Sequence, residues 1–350
     1  MVSTQDREPS TGLTSAKQTG PLRPIFRIAT AYWASQAVYV AAKLGIADAL
    51  AEGPKSCDEI ADATHADSHS LLRLMRSLIG LGVFALDDDG RFRLTAIGAP
   101  LQTGMPGSIR SMVLTLGREH YQAWGKLLES IHTGTPAFES TYNRPLFEYL
   151  QCNSEAAQTF NDAMTDFTRQ VALATVLAYD FSKIGVAVDI GGGHGALLGT
   201  ILNSSPSARG ILFDSDHAIE GAKRNIEAAG LRGRCRALTG DFFESVPPGA
   251  DAYILKNVLH DWDDNHALAI LKNCRAAMSN GGILLVIEVV LPLSSDNLFG
   301  SLLDLNMLVM SGGRERTQSE YCKLFEASGF RLVRVIPTMA LVSILEATPF

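Results

Sequence analysis

The C-terminal half of the chain places a histidine and three carboxylates beside apolar runs. His260 and Asp261 follow AYILKNVL, Glu288 lies within VIEVV, and Glu315 follows two glycines in SGGRERT. A carboxylate inside an apolar strand is costly unless it is paired, and a histidine beside a carboxylate is suited to general-base chemistry. We therefore expect His260 to take a proton from a hydroxyl group. The sequence leaves open whether Glu288 or Glu315 orients its ring and raises its basicity.

A glycine-rich segment, VAVDIGGGHG at residues 186–195, is the second feature that suggests chemistry. Asp189 ends an apolar run, and Gly191 and Gly193 lie in the turn toward the next helix. A glycine loop before a helix suits an anion, but no Lys-Ser or Lys-Thr pair follows as in a phosphate-binding loop. The carboxylate of Asp189 instead favours a cationic ligand.

Two further acids follow at the next strand ends. Asp214 in ILFDSDH is placed to hold a ribose diol. The segment TGDFFESVP contains Gly240, Asp241 and Phe242 in succession. The carboxylate of Asp241 is suited to accept a hydrogen bond from an adenine amino group, and the ring of Phe242 is suited to cover the adenine face. Ribose, adenine and a positive centre without phosphates describe S-adenosylmethionine, which we predict as the cofactor.

These residues require a sheet that brings strand ends together. VAVDI, GILFDS, DAYILKNVL and GILLVIEVV are apolar runs separated by helix-length stretches, which predicts a parallel α/β sheet over residues 182–350. The final segment, FRLVRVIPTMALVSILEA, predicts a closing antiparallel pair of strands. Ligands of such sheets collect at the carboxyl ends of the strands, where the candidate residues lie.

The N-terminal half has helical spacing and ends in a hairpin pattern. Residues 1–24 are expected to form a flexible tail, residues 25–110 a winged helix, and residues 111–181 a helical linker that walls an acceptor pocket. The wing contains three consecutive aspartates, from Asp87 to Asp89, and the net charge is −7. Since phosphates are bound mainly by Lys and Arg, the winged helix is expected to bind protein and not nucleic acid.

Composition supports an intracellular globular protein. The N-terminal segment lacks the apolar core of a signal peptide, and the apolar stretch at residues 28–50 is interrupted by Lys43 and Asp48, which argues against a membrane span. The five cysteines are odd in number and lack metal-ligand spacing. We expect a cytoplasmic protein with reduced cysteines.

Four segments, VDIGGGHG, FDSDH, GDFFESVPPGADAYILKNVLHDWDD and DLNMLVMSGGRERT, resemble a known family. The chain, from about residue 25 onward, is similar to the caffeate-type small-molecule O-methyltransferases, in the bacterial branch with hydroxyneurosporene-type and antibiotic-tailoring enzymes. The resemblance implies a Rossmann-like methyltransferase sheet, an N-terminal domain that forms a homodimer, and S-adenosylhomocysteine as a product. It matches His260 to the catalytic base, Glu288 and Glu315 to its flanking acids, and Asp261 to its neighbour.

Two sets of binding residues complete this prediction. The cofactor set is Asp189, Gly191, Gly193, Asp214, Gly240, Asp241, Phe242, Lys256 and Trp262. The acceptor set is His120, Trp124, Phe160, Met164, Asn306, Met307 and Met310, with Met112 as a further candidate. Met and aromatic side chains suggest a flat aromatic acceptor, although each one alone also fits ordinary core packing.

The sequence departs from the family at two places. Phe242 stands where plant members usually carry Met, and residues 111–124 match plant members poorly. The resemblance therefore predicts the reaction better than it predicts the substrate. Two alternatives remain: an enzyme of this fold that does not methylate, and a winged-helix regulator that senses S-adenosylmethionine. We expect no metal, because a dication at His260, Glu288 and Glu315 would compete with proton transfer.

Overall fold

The computed structural model describes residues 22–279, 281–292 and 297–350. The expected flexible tail, residues 1–24, lies outside the described residues except for its last three, which begin the first helix. The N-terminal elements are α1 (Leu22–Ala29), α2 (Ala31–Leu44), α3 (Ile46–Ala49), α4 (Cys57–Thr64), α5 (Ser68–Gly80), β1 (Phe84–Leu86) and β2 (Phe92–Leu94).

Local sequence explains the helix–turn–helix and its hairpin. At the start of α4, the Ser56 side chain accepts a hydrogen bond from the Glu59 backbone, and the Glu59 carboxylate accepts one from the Ser56 backbone, which satisfies two otherwise unpaired N–H groups. Leu71 and Met75 on α5 face the core of this half. Strands β1 and β2 pair antiparallel around the turn that contains Gly90. The predicted winged-helix shape is therefore present.

A set of helices connects the two halves. The chain follows one helical path from α6 (Arg110–Thr115) through a π-helical segment (Leu116–His120) to α7 (Tyr121–Trp124). The next helices are α8 (Leu127–Thr133), α9 (Ala137–Tyr142), α10 (Leu146–Cys152) and the long α11 (Ser154–Ala178). Because α11 packs against both α6 and α12 (Ala196–Ser204), it joins the connecting helices to the C-terminal half.

The C-terminal half is a mixed sheet covered by helices on both faces. Within the described residues its strand order is β10-β11-β7-β6-β3-β4-β5, with β3 to β7 mutually parallel and β10 and β11 antiparallel. The strands are β3 (Val186–Ile190), β4 (Arg209–Asp214), β5 (Cys235–Thr239), β6 (Ala252–Lys256), β7 (Ile283–Glu288), β8 (Val290–Leu291), β9 (Arg316–Thr317), β10 (Phe330–Pro337) and β11 (Ser343–Pro349). The helices are α13 (Asp216–Ala228), α14 (Asp264–Ala277), α15 (Leu298–Met310) and α16 (Gln318–Ala327).

Side-chain alternation along the central strands divides the core into two layers. Ala187 on β3 packs with α12 and α13, while its neighbour Val188 packs with α14 and α16. The parallel sheet and the closing antiparallel pair confirm the predicted fold class. The strand end expected before Asp241 is that of β5, whose residues CRALT alternate in character at the sheet edge and form no continuous apolar run.

Candidate active site

The glycine loop after β3 is shaped by close contacts. Gly191 and Gly193 have φ of 65° and 56°, a left-handed conformation that glycine adopts at low cost. A Cβ on Gly191 would lie 2.8 Å from a methyl group of Val258. The loop therefore passes directly beside the segment that leads to His260.

Asp189, just before this loop, is a buried carboxylate with unfilled bonding capacity. It is 1% exposed, and neither of its oxygens has a hydrogen-bond partner among the described residues. Burial raises the pKa of Asp189 to about 7, although the positive charge of Lys256 opposes this. A buried carboxylate needs a donor or a cation, so this position fits the positive part of S-adenosylmethionine.

Two acids stand at the ends of the neighbouring strands. One oxygen of Asp214 accepts a hydrogen bond of 2.8 Å from the backbone N–H of Gly193, and the other accepts one of 2.6 Å from Ser215. Asp241 is exposed and accepts a hydrogen bond of 2.8 Å from the Phe243 backbone. Both carboxylates are thus oriented by the chain at the edge where the sequence predicts ribose and adenine.

Aromatic rings border this edge. The ring of Phe242 lies 6.2 Å from that of Trp262 in an edge-on arrangement, and Phe147 stacks on Trp262 at 5.8 Å. Preceding them, Gly240 leaves room for the Phe213 ring, which a Cβ would approach to 2.5 Å. Phe147 belongs to α10 and had no signal in the sequence that linked it to this site.

Lys256 at the end of β6 connects the sheet to α11. Its Nζ donates a hydrogen bond of 2.8 Å to Thr168 Oγ1 and lies 5.5 Å from the centre of the Phe167 ring. Burial lowers the pKa of Lys256 to about 8, and the negative charges of Asp189 and Asp261 oppose this shift. The lysine is therefore held beside Asp189 by its neighbours on another element.

His260 and Glu315 form the centre of the site. The imidazole is 7% exposed, and its Nδ1 lies 2.8 Å from Glu315 Oε1. Since an ionised carboxylate only accepts hydrogen bonds, this contact assigns the proton to Nδ1. In the neutral ring Nε2 then carries the lone pair, and it lies 3.9 Å from Asp261 Oδ1.

Glu288 has a different task from Glu315. Its Oε1 accepts hydrogen bonds from the backbone N–H groups of Val258, Leu259 and His260, at 3.1, 2.7 and 3.2 Å. Its Oε2 accepts one from the Tyr321 hydroxyl. The alternative left open by the sequence is thereby decided: Glu315 contacts the ring, and Glu288 fixes the backbone that carries it.

The GGRERT segment supports the same turn from the other side. A Cβ on Gly313 would lie 2.0 Å from the carbonyl oxygen of His260, so only glycine fits. The buried Arg316 guanidinium donates to the carbonyls of Leu259 and Trp262, both at 2.9 Å, and to the Asp264 carboxylate at 3.0 Å. No pattern in the sequence indicates these roles, although both residues lie in the GGRERT segment.

Electrostatics make His260 a strong base. Burial lowers the pKa of its imidazole, but the negative charges of Asp261 and Glu315 outweigh that effect and raise the pKa to about 9. The pKa of Asp261 is raised to about 6 by burial, which the positive imidazolium opposes. The site therefore favours the protonated form of His260. It stabilises the imidazolium that would form if His260 took a proton from an acceptor hydroxyl.

Several of the expected acceptor residues also come together. Trp124 Nε1 donates a hydrogen bond of 2.9 Å to Asn306 Oδ1, and Trp124 packs with Met310 in an apolar cluster. His120 is buried one turn before Trp124. Helix α15, which carries Asn306 and Met310, also carries Asp304, whose carboxylate accepts a hydrogen bond of 2.9 Å from the Glu315 backbone. Helix α15 thus connects this group to the base.

Other expected wall residues are less closely tied to this group. Met307 is buried on α15, while Phe160 and Met164 are partly buried on α11 and Met112 lies on α6. Within the described residues, no hydrogen bond or ring contact joins Phe160 or Met164 to His260. The described ranges also contain no group of three His, Cys, Asp or Glu side chains that could hold a metal. Glu288 directs one oxygen to the backbone and the other to the Tyr321 hydroxyl.

Comparison with known proteins decides which family this site belongs to. A family model described as an O-methyltransferase domain matches residues 124–331, and one described as an O-methyltransferase dimerisation domain matches residues 26–103. The chain belongs to this O-methyltransferase family. It is 46% identical over 325 residues to the phenazine O-methyltransferase PhzM of Lysobacter antibioticus, covering 93% of this chain and 95% of that protein.

Solved structures agree with this assignment. The crystal structure of LaPhzM matches with a TM-score of 0.92 at 46% identity, covering 95% of this chain and all of that one. NcsB1 from neocarzinostatin biosynthesis, solved with S-adenosylmethionine and 2-hydroxy-5-methyl naphthoic acid, matches with a TM-score of 0.82 at 34% identity over 96% of this chain and 100% of that one. The protein is a methyltransferase that uses S-adenosylmethionine and methylates a hydroxyl group of a small acceptor.

The predicted family and cofactor are thus confirmed for this O-methyltransferase. Family membership also leaves the non-methylating enzyme and the regulator without a supporting observation. No helix in the described ranges combines the length and apolar character that a membrane crossing requires.

Proposed function

We propose that this O-methyltransferase methylates a phenolic hydroxyl of a flat aromatic secondary metabolite, with His260 as the general base. The observation that carries the proposal is the buried His260–Glu315 pair, which leaves Nε2 as the atom able to take a proton. Relatives named for a phenazine substrate and one solved with a naphthoic acid support an aromatic acceptor.

The raised pKa of His260 changes the energetics of proton removal. A free phenol with a pKa near 10 gives its proton to a free imidazole of pKa near 6.5 only at a cost of roughly 5 kcal/mol. Because the pKa of His260 is raised to about 9, its neutral imidazole accepts the proton at a lower cost than a free imidazole does, while a smaller fraction of the protein carries the neutral ring at pH 7. Glu315 holds the imidazolium that results, and Glu288 keeps the backbone of the turn in place.

S-adenosylmethionine supplies the methyl group as part of a positively charged sulfonium. We propose that Asp189 faces positive charge of this group, that Asp214 binds the ribose hydroxyls, and that Asp241 and Phe242 receive the adenine. Their support is the unpartnered carboxylate of Asp189 and the order of the acids along successive strand ends. The remaining cofactor residues are Gly191, Gly193, Gly240, Lys256 and Trp262.

The acceptor is proposed to bind against residues 111–181 and α15. The residues assigned to this wall are His120, Trp124, Phe160, Met164, Asn306, Met307 and Met310. Orientation against such a wall aligns the hydroxyl oxygen for in-line attack, and alignment of reacting groups is worth up to roughly 7–11 kcal/mol.

We infer that two copies of the chain associate through the N-terminal domain. The match to a dimerisation domain at residues 26–103 supports this, as do apolar side chains exposed on α1 and α2. Those side chains are Ile25, Phe26, Ile28, Tyr32 and Trp33. A cytoplasmic location is supported by the five free cysteines, and the acidic wing argues against nucleic acid as a partner.

A labelled-methyl assay tests the proposed function. The purified chain is incubated with labelled S-adenosylmethionine and a panel of phenols, naphthols and hydroxylated heteroaromatics, and products are analysed by mass. We expect at least one acceptor to gain one methyl group on oxygen. Binding of S-adenosylhomocysteine without methylation of any panel member would contradict the proposed acceptor class.

A further inference from the structure

Tyr321 on α16 reaches the turn that carries His260 through one side chain. Its hydroxyl bonds to Glu288 Oε2 and has no other hydrogen-bond partner within the described residues. Both residues are 0% exposed. The second carboxylate oxygen, Glu288 Oε1, accepts from the three consecutive backbone N–H groups of residues 258–260. The Glu288 carboxylate therefore stands between the tyrosine hydroxyl and the backbone of His260.

The hydrogen-bond pattern fixes where the proton of this pair lies. If Glu288 carried a proton on Oε2 and donated it to the tyrosine, the hydroxyl hydrogen of Tyr321 would be buried without an acceptor in the described part of the chain. A proton on Oε1 would face three N–H hydrogens. A buried donor without an acceptor is costly, whereas a hydroxyl that donates to a carboxylate satisfies both groups. Glu288 is therefore held as an anion, with Tyr321 as the donor to Oε2.

Burial makes this anion dependent on its donors. It raises the pKa of Glu288, and the hydrogen bond from Tyr321 is one of the interactions that lower it. Burial and the charge of Glu288 raise the pKa of Tyr321 well above its usual value, so the hydroxyl keeps its proton and remains a donor. The charged groups that act on the Glu288 carboxyl come from several elements: His260 and Asp261 in the turn, Lys256 on β6, Glu315, and Arg316 on β9.

Loss of the hydroxyl would change what holds the turn. Glu288 Oε2 would be buried without a donor, so the carboxyl would take up a proton more readily. Hydrogen bonds to a neutral acceptor are roughly half as strong as those to a charged one. The three N–H groups of residues 258–260 would then be held more weakly, although Glu315 would still contact the imidazole of His260.

We propose that Tyr321 is a positioning residue for methyl transfer: its hydroxyl keeps Glu288 ionised, and the ionised Glu288 holds the backbone that carries His260. The inference rests on the proposed function, because the placement of His260 affects the rate only if this residue takes the acceptor proton. Since Tyr321 acts through Glu288, its effect on the rate should vanish when residue 288 carries no charge.

Infrared difference spectroscopy of the full chain at neutral pH tests the charge of Glu288 without turnover. Relative to the wild type, Tyr321→Phe should gain a carboxylic acid C=O band that is lost again in Tyr321→Phe/Glu288→Gln and disappears as the pH is raised. Absence of this band would overturn the inference. If Tyr321→Phe does not fold, the wild type is compared with Glu288→Gln: loss of a carboxylate band supports the inference, and loss of an acid band overturns it.

Rates separate positioning from a loss of stability, with Tyr253→Phe as the matched control. Tyr253 is also 0% exposed and lies in the same core layer, but its hydroxyl donates to the carbonyls of Pro247 and Ala277. We expect Tyr321→Phe to lower kcat roughly tenfold, the effect of losing a hydrogen bond to a charged group, with an unchanged KM for S-adenosylmethionine. Tyr253→Phe should keep the wild-type kcat.

A double-mutant cycle tests whether the tyrosine acts through the carboxylate. In the Glu288→Gln background, Tyr321→Phe should cause no further loss of kcat, because the charge that the hydroxyl supports is already absent. The same loss of kcat in both backgrounds, or equal kcat values for Tyr321→Phe and Tyr253→Phe, would overturn the inference.

The two proposals fail in different ways. If the infrared signature appears but His260→Ala keeps the wild-type rate, the proposed base is contradicted, and the control of the Glu288 charge by Tyr321 stands. If His260→Ala loses activity but Tyr321→Phe shows neither the acid band nor a lower kcat, the inference alone is contradicted.

Discussion

The turn that carries His260, residues 258–262, and the carboxylate of Asp189 at the cofactor edge differ in how far the chain satisfies their hydrogen bonds. In the turn, Glu288 binds three consecutive backbone N–H groups and Arg316 binds two carbonyls, so the chain itself satisfies the backbone. At the cofactor edge, the chain leaves both oxygens of the buried Asp189 carboxylate without a partner within the described residues. The fold thus fixes the turn that carries the proposed base and leaves open a carboxylate proposed to face the cofactor.

The glycine loop around the Asp189 carboxylate is nonetheless closely packed. Unfilled bonding capacity at a rigid position is what a preformed ligand site requires, because the ligand then supplies the bonds that folding did not.

Removal of the base should have the largest effect on the rate. We expect His260→Ala to lower kcat by about 10²- to 10⁴-fold, the usual contribution of a positioned acid or base. Affinity for S-adenosylhomocysteine, measured by calorimetry, should stay within about twofold, because His260 is assigned to the acceptor proton and not to the cofactor. His132→Ala at an exposed position is the control and should keep full activity. A rate for His260→Ala near that of the control would remove the base assignment.

Displacement of the turn should be nearly as harmful as loss of the base. A Cβ at position 313 would lie 2.0 Å from the His260 carbonyl oxygen and 2.4 Å from the Asp261 carbonyl carbon. We expect Gly313→Ala to lower kcat about 10²-fold, because a displacement of about 1 Å at a reacting group has that effect. At Gly233 a Cβ would meet no atom within 4 Å, so Gly233→Ala is the matched control. Equal rates for the two variants would show that the turn tolerates displacement.

The pH profile tests the electrostatic coupling of the pair. His260 acts as a base only when deprotonated, and its pKa is raised to about 9, so kcat/KM should rise with pH and level off above that value. Glu315→Gln removes a negative charge that favours the imidazolium, so its midpoint should move to lower pH by roughly one unit and its plateau should fall. Profiles with the same midpoint in both proteins would show that Glu315 does not set the basicity of His260.

The smallest of these effects is expected at the proposed ribose site. Asp214→Ala should weaken S-adenosylhomocysteine binding by roughly tenfold in calorimetry, the usual effect of losing a hydrogen bond to a charged group. The exposed Asp88 of the wing offers a matched control, Asp88→Ala, with unchanged affinity. If the two variants bind alike, Asp214 serves only to hold Gly193 and Ser215.

The sequence predicted the strands of the sheet better than it predicted the contacts of the individual site residues. The central strands are continuous apolar runs, so the sheet and the strand ends that carry Asp189 and Asp214 could be predicted from hydrophobicity alone. Strand β5 has no such run, because an edge strand exposes one side, and only the acid that follows it indicated a strand end there. The two glutamates both appeared as buried acids, and only their contacts distinguish them: Glu315 reaches the ring and Glu288 the backbone.

Contacts between distant segments account for most of what the sequence did not show. Arg316 and Tyr321 support the turn that carries His260, yet each resembles an ordinary polar residue of its own segment. The pairing of Trp124 with Asn306 joins residues 182 positions apart, and no periodicity indicates it. Tertiary hydrogen bonds of this kind depend on the packing of whole elements, which is why the acceptor side was the least predictable part.

A crystal structure with S-adenosylhomocysteine and a methylatable phenol is the most direct test of the central claim. The hydroxyl oxygen should lie within hydrogen-bond reach of His260 Nε2, about 2.6–3.2 Å, with Nδ1 still bound to Glu315. A phenol whose oxygen faces another side chain, with the imidazole directed elsewhere, would contradict the role assigned to His260.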